Sequence, residues 1–329
     1  MSVAPPDKVL ITGGHEVGGL SSFAQALGRG FAAFGIKSEI IRPSELLFRW
    51  SDLRNPGVLK VLNTSAILAA PLAKRSICVA HGTTSARDQG WVTCIASLVS
   101  YKLANAFRHA RLVAISHYVA IHLNNIFNIS IDATIRNPVD EMFLEPFDQQ
   151  ASERCYVTFV GRLVRCKGLN RLLPAIRVLL DENDSLRCRI VGDGPERSNL
   201  EKIVSGDDRI EFVGPRDHCY VREQLRRTKV FISGAPNEGF GIAYLEALSQ
   251  GCNVVMPACG GGLEIALQRI GNGIYLIPIS LDEKEVIVAL RMAAEREPPT
   301  VPLDEYSVKS IAAAYLDVDR VMAASMSAR

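Results

Sequence analysis

The chain has 329 residues, 48% of them hydrophobic and 22% charged, with a formal net charge of +2. These values are typical of an ordinary globular protein with about two domains, each large enough for its own core. The charge is too small to indicate nucleic acid as a partner, and the sequence holds no basic arm or basic-aromatic repeat.

Short apolar segments alternate with helical patterns in the first half of the chain. After a strand at "KVLIT" (8–12), a Gly-rich turn leads into a helix at "SSFAQALGRGFAAFG" (21–35). Further strand ends are predicted at "KSEIIRP" (37–43), "SICVAHG" (76–82), "RLVAISH" (111–117) and "DATIRNPV" (132–139). We assign no element to residues 45–75.

The alternation restarts after residue 150. Strands are predicted at "CYVTFVGR" (155–162), "LRCRIVGDG" (186–194), "IEFVGP" (210–215), "KVFISG" (229–234), "CNVVMP" (252–257) and "GIYLIP" (273–278), with helices between most of them. Strand-helix alternation favours parallel sheets covered by helices, so the chain is predicted to be α/β with two Rossmann-like domains. We place them at 1–147 and 148–303, because a polar stretch surrounds Pro146. We assign 304–329 to a closing amphipathic helix that packs back on the first domain.

Eight cysteines are scattered along the chain, and no two of them form a C-x-x-C motif. Several lie in apolar runs, which indicates reduced thiols and not a disulfide framework. The N-terminus lacks a basic-then-apolar signal pattern, and no apolar run reaches the roughly 18 residues that a membrane-spanning helix needs. We therefore expect a cytosolic protein.

The segment "NEGFGIAYLEALSQG" (237–251) carries two glutamates, Glu238 and Glu246. A helix is predicted from about Phe240 to Gly251, so Glu238 would precede the first turn and Glu246 would lie about two turns inside. Gly239 and Gly241 would leave the helix N-terminus open to an anion. The alternative is that Glu238 only interacts with the helix dipole at the first turn and that Glu246 lies on a solvated helix face.

This segment resembles the E-x7-E signature of retaining glycosyltransferases of family 4. "FVGRLVRCKGL" (159–169) is similar to the family's G-R-x-x-x-x-K-G segment, and "VGDGPE" to a strand-end turn. "ISHYVA", "IRNPVD" and the closing helix also match, over most of residues 8–320. The resemblance implies the GT-B fold, in which two Rossmann-like domains face each other across a cleft.

By this resemblance, the chain would move a sugar from a nucleotide-sugar such as a UDP- or GDP-sugar to an acceptor, with retention and without a cofactor or metal. Glu238 would bind the sugar, Glu246 the ribose, and the backbone of Gly239, Phe240, Gly241 and Ile242 the sugar and phosphate. Arg162 and Lys167 would neutralise the diphosphate leaving group, because cations at a strand end stabilise such charge. The alternative for these two residues is surface ion pairing.

The first half adds two predicted contacts. The turn "ITGGHEVGGLSSF" fails the dinucleotide pattern but resembles the family's first loop, where Gly18 and Gly19 would let the backbone approach donor phosphate. His81 ends a strand, and a similar family histidine lies near donor sugar and acceptor, so we include it among the catalytic residues. The alternative for Gly18 and Gly19 is a tight turn without a ligand. The alternative for His81 is a loop histidine whose hydrogen bonds are all made within the protein.

The acceptor is not specified by the sequence. The resemblance implies a glycan or a lipid-linked acceptor, in polysaccharide, lipopolysaccharide or glycolipid assembly. The stretches "ELLFRWSDLRNPGVLKVL" (45–62) and "YKLANAFRHARL" (101–112) mix apolar residues with basic ones and Trp50, which suggests either peripheral membrane contact or ordinary amphipathic packing.

Two other interpretations stay open: a nucleotide-sugar epimerase of the same fold, and a degenerate GT-B domain that only binds. A metal site is not expected, since Asp317 and Asp319 would lie about 200° apart on a helix and no His/Cys/Asp cluster has zinc spacing.

Overall fold

A computed structural model describes residues 4–13, 19–82, 91–107, 109–145, 153–267, 273–297 and 299–327. The chain forms two compact units. Met1–Glu141 and Asp304–Arg329 make the first unit, and Met142–Leu303 make the second. Each unit is built on a six-stranded parallel sheet, as the alternation of strands and helices predicts.

The sheet of the first unit has the order β2-β1-β3-β4-β5-β6. Its strands are β1 Lys8–Thr12, β2 Lys37–Ile41, β3 Val58–Asn63, β4 Ser76–Ala80, β5 Ala110–Ala114 and β6 Ala133–Thr134. Its central strands are buried on both faces by helices α1 Gly19–Ala32, α2 Trp50–Arg54, α3 Trp91–Ala106, α4 His117–Phe127 and α12 Val308–Ser327. A short helix, α5 Glu141–Leu144, lies where the chain passes from the first unit to the second.

The central strand β3 is missing from the sequence prediction. It pairs with β1 and β4 and is buried along its whole length, including Lys60. The Lys60 ammonium donates to the carbonyls of Asn55 and Lys74, which replace water around the charge. A lysine in the middle of the strand interrupts the apolar run, so the pattern does not indicate a fully buried strand.

The last helix, α12, packs on α1 of the first unit. At Gly30 an added Cβ would lie 2.2 Å from the carbonyl oxygen of Val308, so a glycine is needed for this approach. Asp319 of α12 accepts two hydrogen bonds from Arg75, at 2.8 and 2.7 Å, and both side chains are nearly excluded from solvent. The closing segment therefore belongs to the core of the first unit.

The sheet of the second unit has the order β12-β11-β10-β7-β8-β9. Its strands are β7 Tyr156–Val160, β8 Arg187–Val191, β9 Ile210–Gly214, β10 Thr228–Ile232, β11 Asn253–Pro257 and β12 Ile274–Ile277. Its helices are α6 Leu169–Asp181, α7 Arg197–Ile203, α8 His218–Arg226, α9 Ile242–Ser249, α10 Gly260–Leu267 and α11 Glu283–Glu295. Apolar faces of α6 and α11 cover one side of the sheet.

In the described part of the chain, no helix combines the length and the apolar character that crossing a membrane requires. All eight cysteines are free thiols, in agreement with their scattered positions in the sequence.

Candidate functional site

The second unit brings Lys167 and Glu238 together although 71 residues separate them in the chain. β7 and β10 are neighbours at the centre of the sheet, and the loops that follow their carboxyl ends emerge side by side. The Lys167 Nζ donates to Glu238 Oε2 at 2.7 Å, and each side chain keeps about a quarter to a third of its surface exposed, 30% and 26% respectively. The pair is thus partly buried in the protein and partly accessible to solvent.

Glycines allow the two loops to approach this closely. Lys167 ends a short 3-10 turn, Arg165–Lys167, which Gly168 closes in the left-handed conformation at φ 68°. A Cβ on Gly168 would lie 2.7 Å from the carbonyl oxygen of Gly234, just after β10. The K-G step of the sequence motif therefore sets the position of the Lys167 amine.

A second glycine contact holds the backbone of Glu238. The Gly261 N–H donates to the Glu238 carbonyl at 2.8 Å, and a Cβ at Gly261 would lie only 2.1 Å from the Gly239 carbonyl oxygen. A Cβ at Gly260 would lie 2.5 Å from the Glu238 carbonyl oxygen. Gly260 and Gly261 are not among the residues predicted from the sequence; their signal is the run "CGGGL" (259–263), just after β11.

Helix α9 starts at Ile242 and not at about Phe240, because Gly241 takes a left-handed conformation at φ 91° and cannot be a helical residue. Gly241 is the N-cap residue and so offers no side chain to cap this N-terminus, and the first turn carries no acidic residue. Its amide groups and dipole therefore favour an anion there. Phe240 is buried in the preceding loop, and Ile242 is the first residue of the helix.

Glu246 lies in the second turn of α9 and is partly exposed between the buried Leu245 and Ala247. The arrangement agrees with the predicted order along the helix, with Glu238 before the N-terminus and Glu246 inside. Tyr244, between them in the chain, is buried, and its hydroxyl donates to Ser233 Oγ at 3.3 Å. Burial raises the pKa of this phenol, so it stays a neutral donor.

Arg162 follows β7 at the same carboxyl edge of the sheet, and its side chain is exposed. Among the residues that the structure describes, none forms an ion pair with its guanidinium. Its backbone is fixed by the turn after β8, because a Cβ on Gly192 would lie 2.0 Å from the Gly161 carbonyl oxygen. The "VGDG" turn thus orients the loop that carries Arg162.

The first unit places His81 at the carboxyl end of β4, next to Asn63 at the end of β3. The Asn63 amide nitrogen donates to the Thr12 carbonyl at 2.5 Å, which leaves its Oδ1 as an acceptor. His81 Nε2 lies 2.7 Å from that oxygen, so Nε2 carries the proton and Nδ1 is left as an acceptor. Phe23 packs edge-on against the ring, with centroids 4.8 Å apart.

We expect His81 to stay neutral in mildly acidic solution, because burial lowers its pKa from 6.5 to about 4. The unfolded chain binds this proton first, so the contribution to stability is complete above pH 6.5 and is lost as the pH falls through about 4. Asn63→Asp would place a carboxylate against Nε2–H and raise the pKa. NMR titration of the His81 ring in the wild type and in Asn63→Asp measures the two pKa values. Equal midpoints near 6.5 in both proteins would contradict the buried, neutral state of the ring.

The predicted glycines of the first loop are only partly covered. Gly18 lies outside the described residues, and Gly19 is the first residue of α1. In the described part of the chain, no group of His, Cys, Asp and Glu side chains is arranged to hold a metal. Asp317 and Asp319 have different partners, Arg320 and Arg75.

Comparison with known proteins adds a sequence match and a fold match. Residues 144–291 match the family model described as glycosyl transferases group 1. A human phosphatidylinositol N-acetylglucosaminyltransferase protein is 29% identical over 183 residues, which are 52% of this chain and 38% of that protein. The chain spans less than two fifths of the length of the curated relatives that it matches.

Two solved structures resemble almost the whole chain. Anabaena HepE in complex with UDP and glucose has a TM-score of 0.67 at 18% identity, covering 97% of this chain and 98% of that one. Sucrose-phosphate synthase from Thermosynechococcus elongatus has a TM-score of 0.69 at 16% identity, covering 97% of both. The chain therefore has the GT-B fold of glycosyltransferases, and its residues 144–291 match their group 1 family.

Proposed function

We propose that the chain is a glycosyltransferase that takes a sugar from a nucleotide-sugar such as a UDP- or GDP-sugar. The observation that carries this proposal is the Lys167–Glu238 pair just before α9, whose N-cap residue is a glycine, at the carboxyl edge of the second sheet. A nucleotide-sugar has an anionic diphosphate for the cation and hydroxyl groups for the carboxylate. The UDP and glucose bound by HepE, a protein of the same fold, support this choice.

Each side chain then has a distinct task. Arg162 and Lys167 stabilise the charge that the diphosphate gains as the glycosidic bond breaks, together with the amides of Gly241 and Ile242. Glu238 accepts hydrogen bonds from the sugar, and Glu246 from the ribose. When the donor binds, the Lys167 amine exchanges the Glu238 carboxylate for a phosphate oxygen, so the donor enters a pair that is already in position.

A panel of nucleotide-sugars, incubated with the protein without acceptor, tests the activity. Slow hydrolysis of one donor identifies it and supports the proposal. Conversion of the sugar to an isomer would instead indicate the epimerase alternative. Absence of binding to every donor would indicate the degenerate alternative, a domain that no longer takes a nucleotide-sugar. The presence of Glu238, Glu246, Arg162 and Lys167 argues against it.

We expect substitutions of the two glutamates to have different effects on the affinity for a nucleoside diphosphate. Glu246→Gln should weaken binding of the bare nucleoside diphosphate, because the ribose loses a charged acceptor worth about 1.5 to 3 kcal/mol. Glu238→Gln should leave that affinity nearly unchanged and lower sugar transfer. Calorimetry with the nucleotide alone measures the difference, and the reverse pattern would show that the two roles are exchanged.

Metal independence and retention belong to the same proposal. The positive field comes from Arg162, Lys167 and the start of α9, so we expect activity to survive excess chelator. The acceptor hydroxyl attacks from the face that the diphosphate leaves, with a phosphate oxygen taking its proton and His81 positioning the reactants. Proton NMR of the first product should then show an α linkage from an α-linked donor. A β linkage, or strict dependence on magnesium or manganese, would contradict this mechanism.

For the acceptor we propose a glycan or a lipid-linked molecule, in polysaccharide, lipopolysaccharide or glycolipid assembly on the cytoplasmic side. The human relative supports a lipid, since its name refers to phosphatidylinositol.

A further inference from the structure

Five large apolar side chains are exposed within a short stretch of the first unit. We call them the apolar patch: Leu47, Phe48, Trp50, Leu68 and Leu72, with exposed fractions of 73%, 87%, 52%, 47% and 43%. Exposed apolar residues are usually scattered singly over a surface. Leu47, Leu68 and Leu72 line one groove of about 840 Å³, and Phe48 and Trp50 follow Leu47 closely in the chain. An apolar patch of this kind marks an interaction surface.

The local fold explains why these side chains point outward. Two short 3-10 turns, Pro43–Phe48 and Thr64–Ala69, pack against each other. The first turn buries only Leu46, and the second buries Ala66, Ile67 and Ala69. Leu46, Ile67 and two alanines fill the interior, and the neighbouring large side chains Leu47, Phe48 and Leu68 remain outside.

Helix α3 continues the apolar surface. It packs on the turn Thr64–Ala69 and buries Cys94, Tyr101 and Ala104. At helical spacing it exposes Trp91, Ile95 and Val99, of which Trp91 is 75% exposed. The inner face of α3 is therefore packed against the turn Thr64–Ala69, which carries Leu68 of the patch, and its outer face carries further exposed apolar side chains.

The charges around the patch are unbalanced toward positive. Glu45 and Asp52 are paired with Arg42 and Arg49. The exposed cations Arg54, Lys74 and Lys102 form no ion pair with any residue that the structure describes. The Arg54 guanidinium lies over the Trp50 ring, 5.4 Å from its centroid. The Lys74 N–H donates to the carbonyl of Leu53, the residue before Arg54. Lys102 lies one turn beyond Val99 on α3.

From this juxtaposition we infer that the apolar patch docks the protein on an anionic lipid bilayer. The apolar side chains enter the boundary of the acyl chains, and Arg54, Lys74 and Lys102 meet the lipid phosphates. Unpaired lysines beside the patch favour a lipid surface over a protein partner, because the cores of protein interfaces are depleted of lysine. The inference is independent of the donor site, since docking requires neither donor nor acceptor.

Sedimentation with vesicles tests the docking. The wild type should bind vesicles of phosphatidylcholine with about 30% phosphatidylserine and bind pure phosphatidylcholine more weakly, and added salt should reduce the difference. Leu47→Ser/Phe48→Ser should lower the partition coefficient at least about tenfold. The matched control Ile279→Ser/Val288→Ser replaces two exposed apolar residues of the second unit and should bind as the wild type does. Equal binding of all three proteins would overturn the inference.

Fluorescence locates the contact. In a Trp91→Phe background, Trp50 should be quenched by brominated lipid, and Leu47→Ser/Phe48→Ser should remove the quenching. Circular dichroism shows whether the double variant is folded. If the wild type instead dimerises through this surface in solution and does not bind the vesicles, the patch is a protein interface and the docking inference is wrong.

Discussion

Arg162→Ala should lower turnover on the order of 100-fold, a loss of about 3 kcal/mol in transition-state stabilisation. Its guanidinium has no ion-pair partner among the described residues, so its charge is available to the diphosphate that leaves. Lys167→Ala should act similarly, because its amine lies at the same edge of the sheet, 2.7 Å from Glu238.

Stability should hardly change in either variant. Arg162 is exposed, and the Lys167–Glu238 pair is partly solvated, where an ion pair contributes less than about 1 kcal/mol. Arg171→Ala, which removes another exposed arginine of the second unit, is the matched control and should keep its activity. Steady-state kinetics on all three proteins decides, and rates near wild type in both site variants would remove the diphosphate assignment.

Asp319→Ala should destabilise the first unit by about 3 to 5 kcal/mol, because it leaves the buried Arg75 guanidinium without its carboxylate. Arg75 also donates to the carbonyls of Pro56 and Ala4, at 3.1 and 3.3 Å, which cannot neutralise the charge. The loss would loosen α12 from the segments that it holds.

Asp317→Ala is the control, since Asp317 lies two residues earlier on the same helix but is 68% exposed and pairs with the exposed Arg320. It should cost less than about 1 kcal/mol. Both tryptophans, Trp50 and Trp91, belong to the first unit, so urea unfolding followed by tryptophan fluorescence reports on that unit alone. Equal midpoints for the two variants would show that the Arg75–Asp319 contact does not stabilise the unit.

Much of the fold could be predicted from local patterns. Apolar runs that end in glycine, such as "CYVTFVG" and "IEFVGP", mark the strands of the second sheet, and α6 shows its apolar face at helical spacing. β3 could not be found in this way, because Lys60 interrupts its pattern and is satisfied by two carbonyls that only the folded chain brings near. Local patterning cannot show such tertiary compensation.

Some residues of the candidate site could likewise be predicted from local sequence, and others could not. Glu238, Glu246, Arg162 and Lys167 follow from a motif, because their spacing is set within single loops and helices. Asn63 does not, since it meets His81 only because β3 and β4 are neighbours in the sheet. Gly260 and Gly261 support Glu238 across a gap of more than twenty residues, so their role needs the folded backbone.

The most direct test of the central claim is calorimetric titration of nucleoside diphosphates into the wild type and into Arg162→Ala/Lys167→Ala. The proposed site predicts saturable binding of one nucleotide at a single site in the wild type, and loss of most of that affinity in the double variant. No binding of any nucleoside diphosphate, or equal binding by both proteins, would contradict the assignment of the Lys167–Glu238 loops as a donor site.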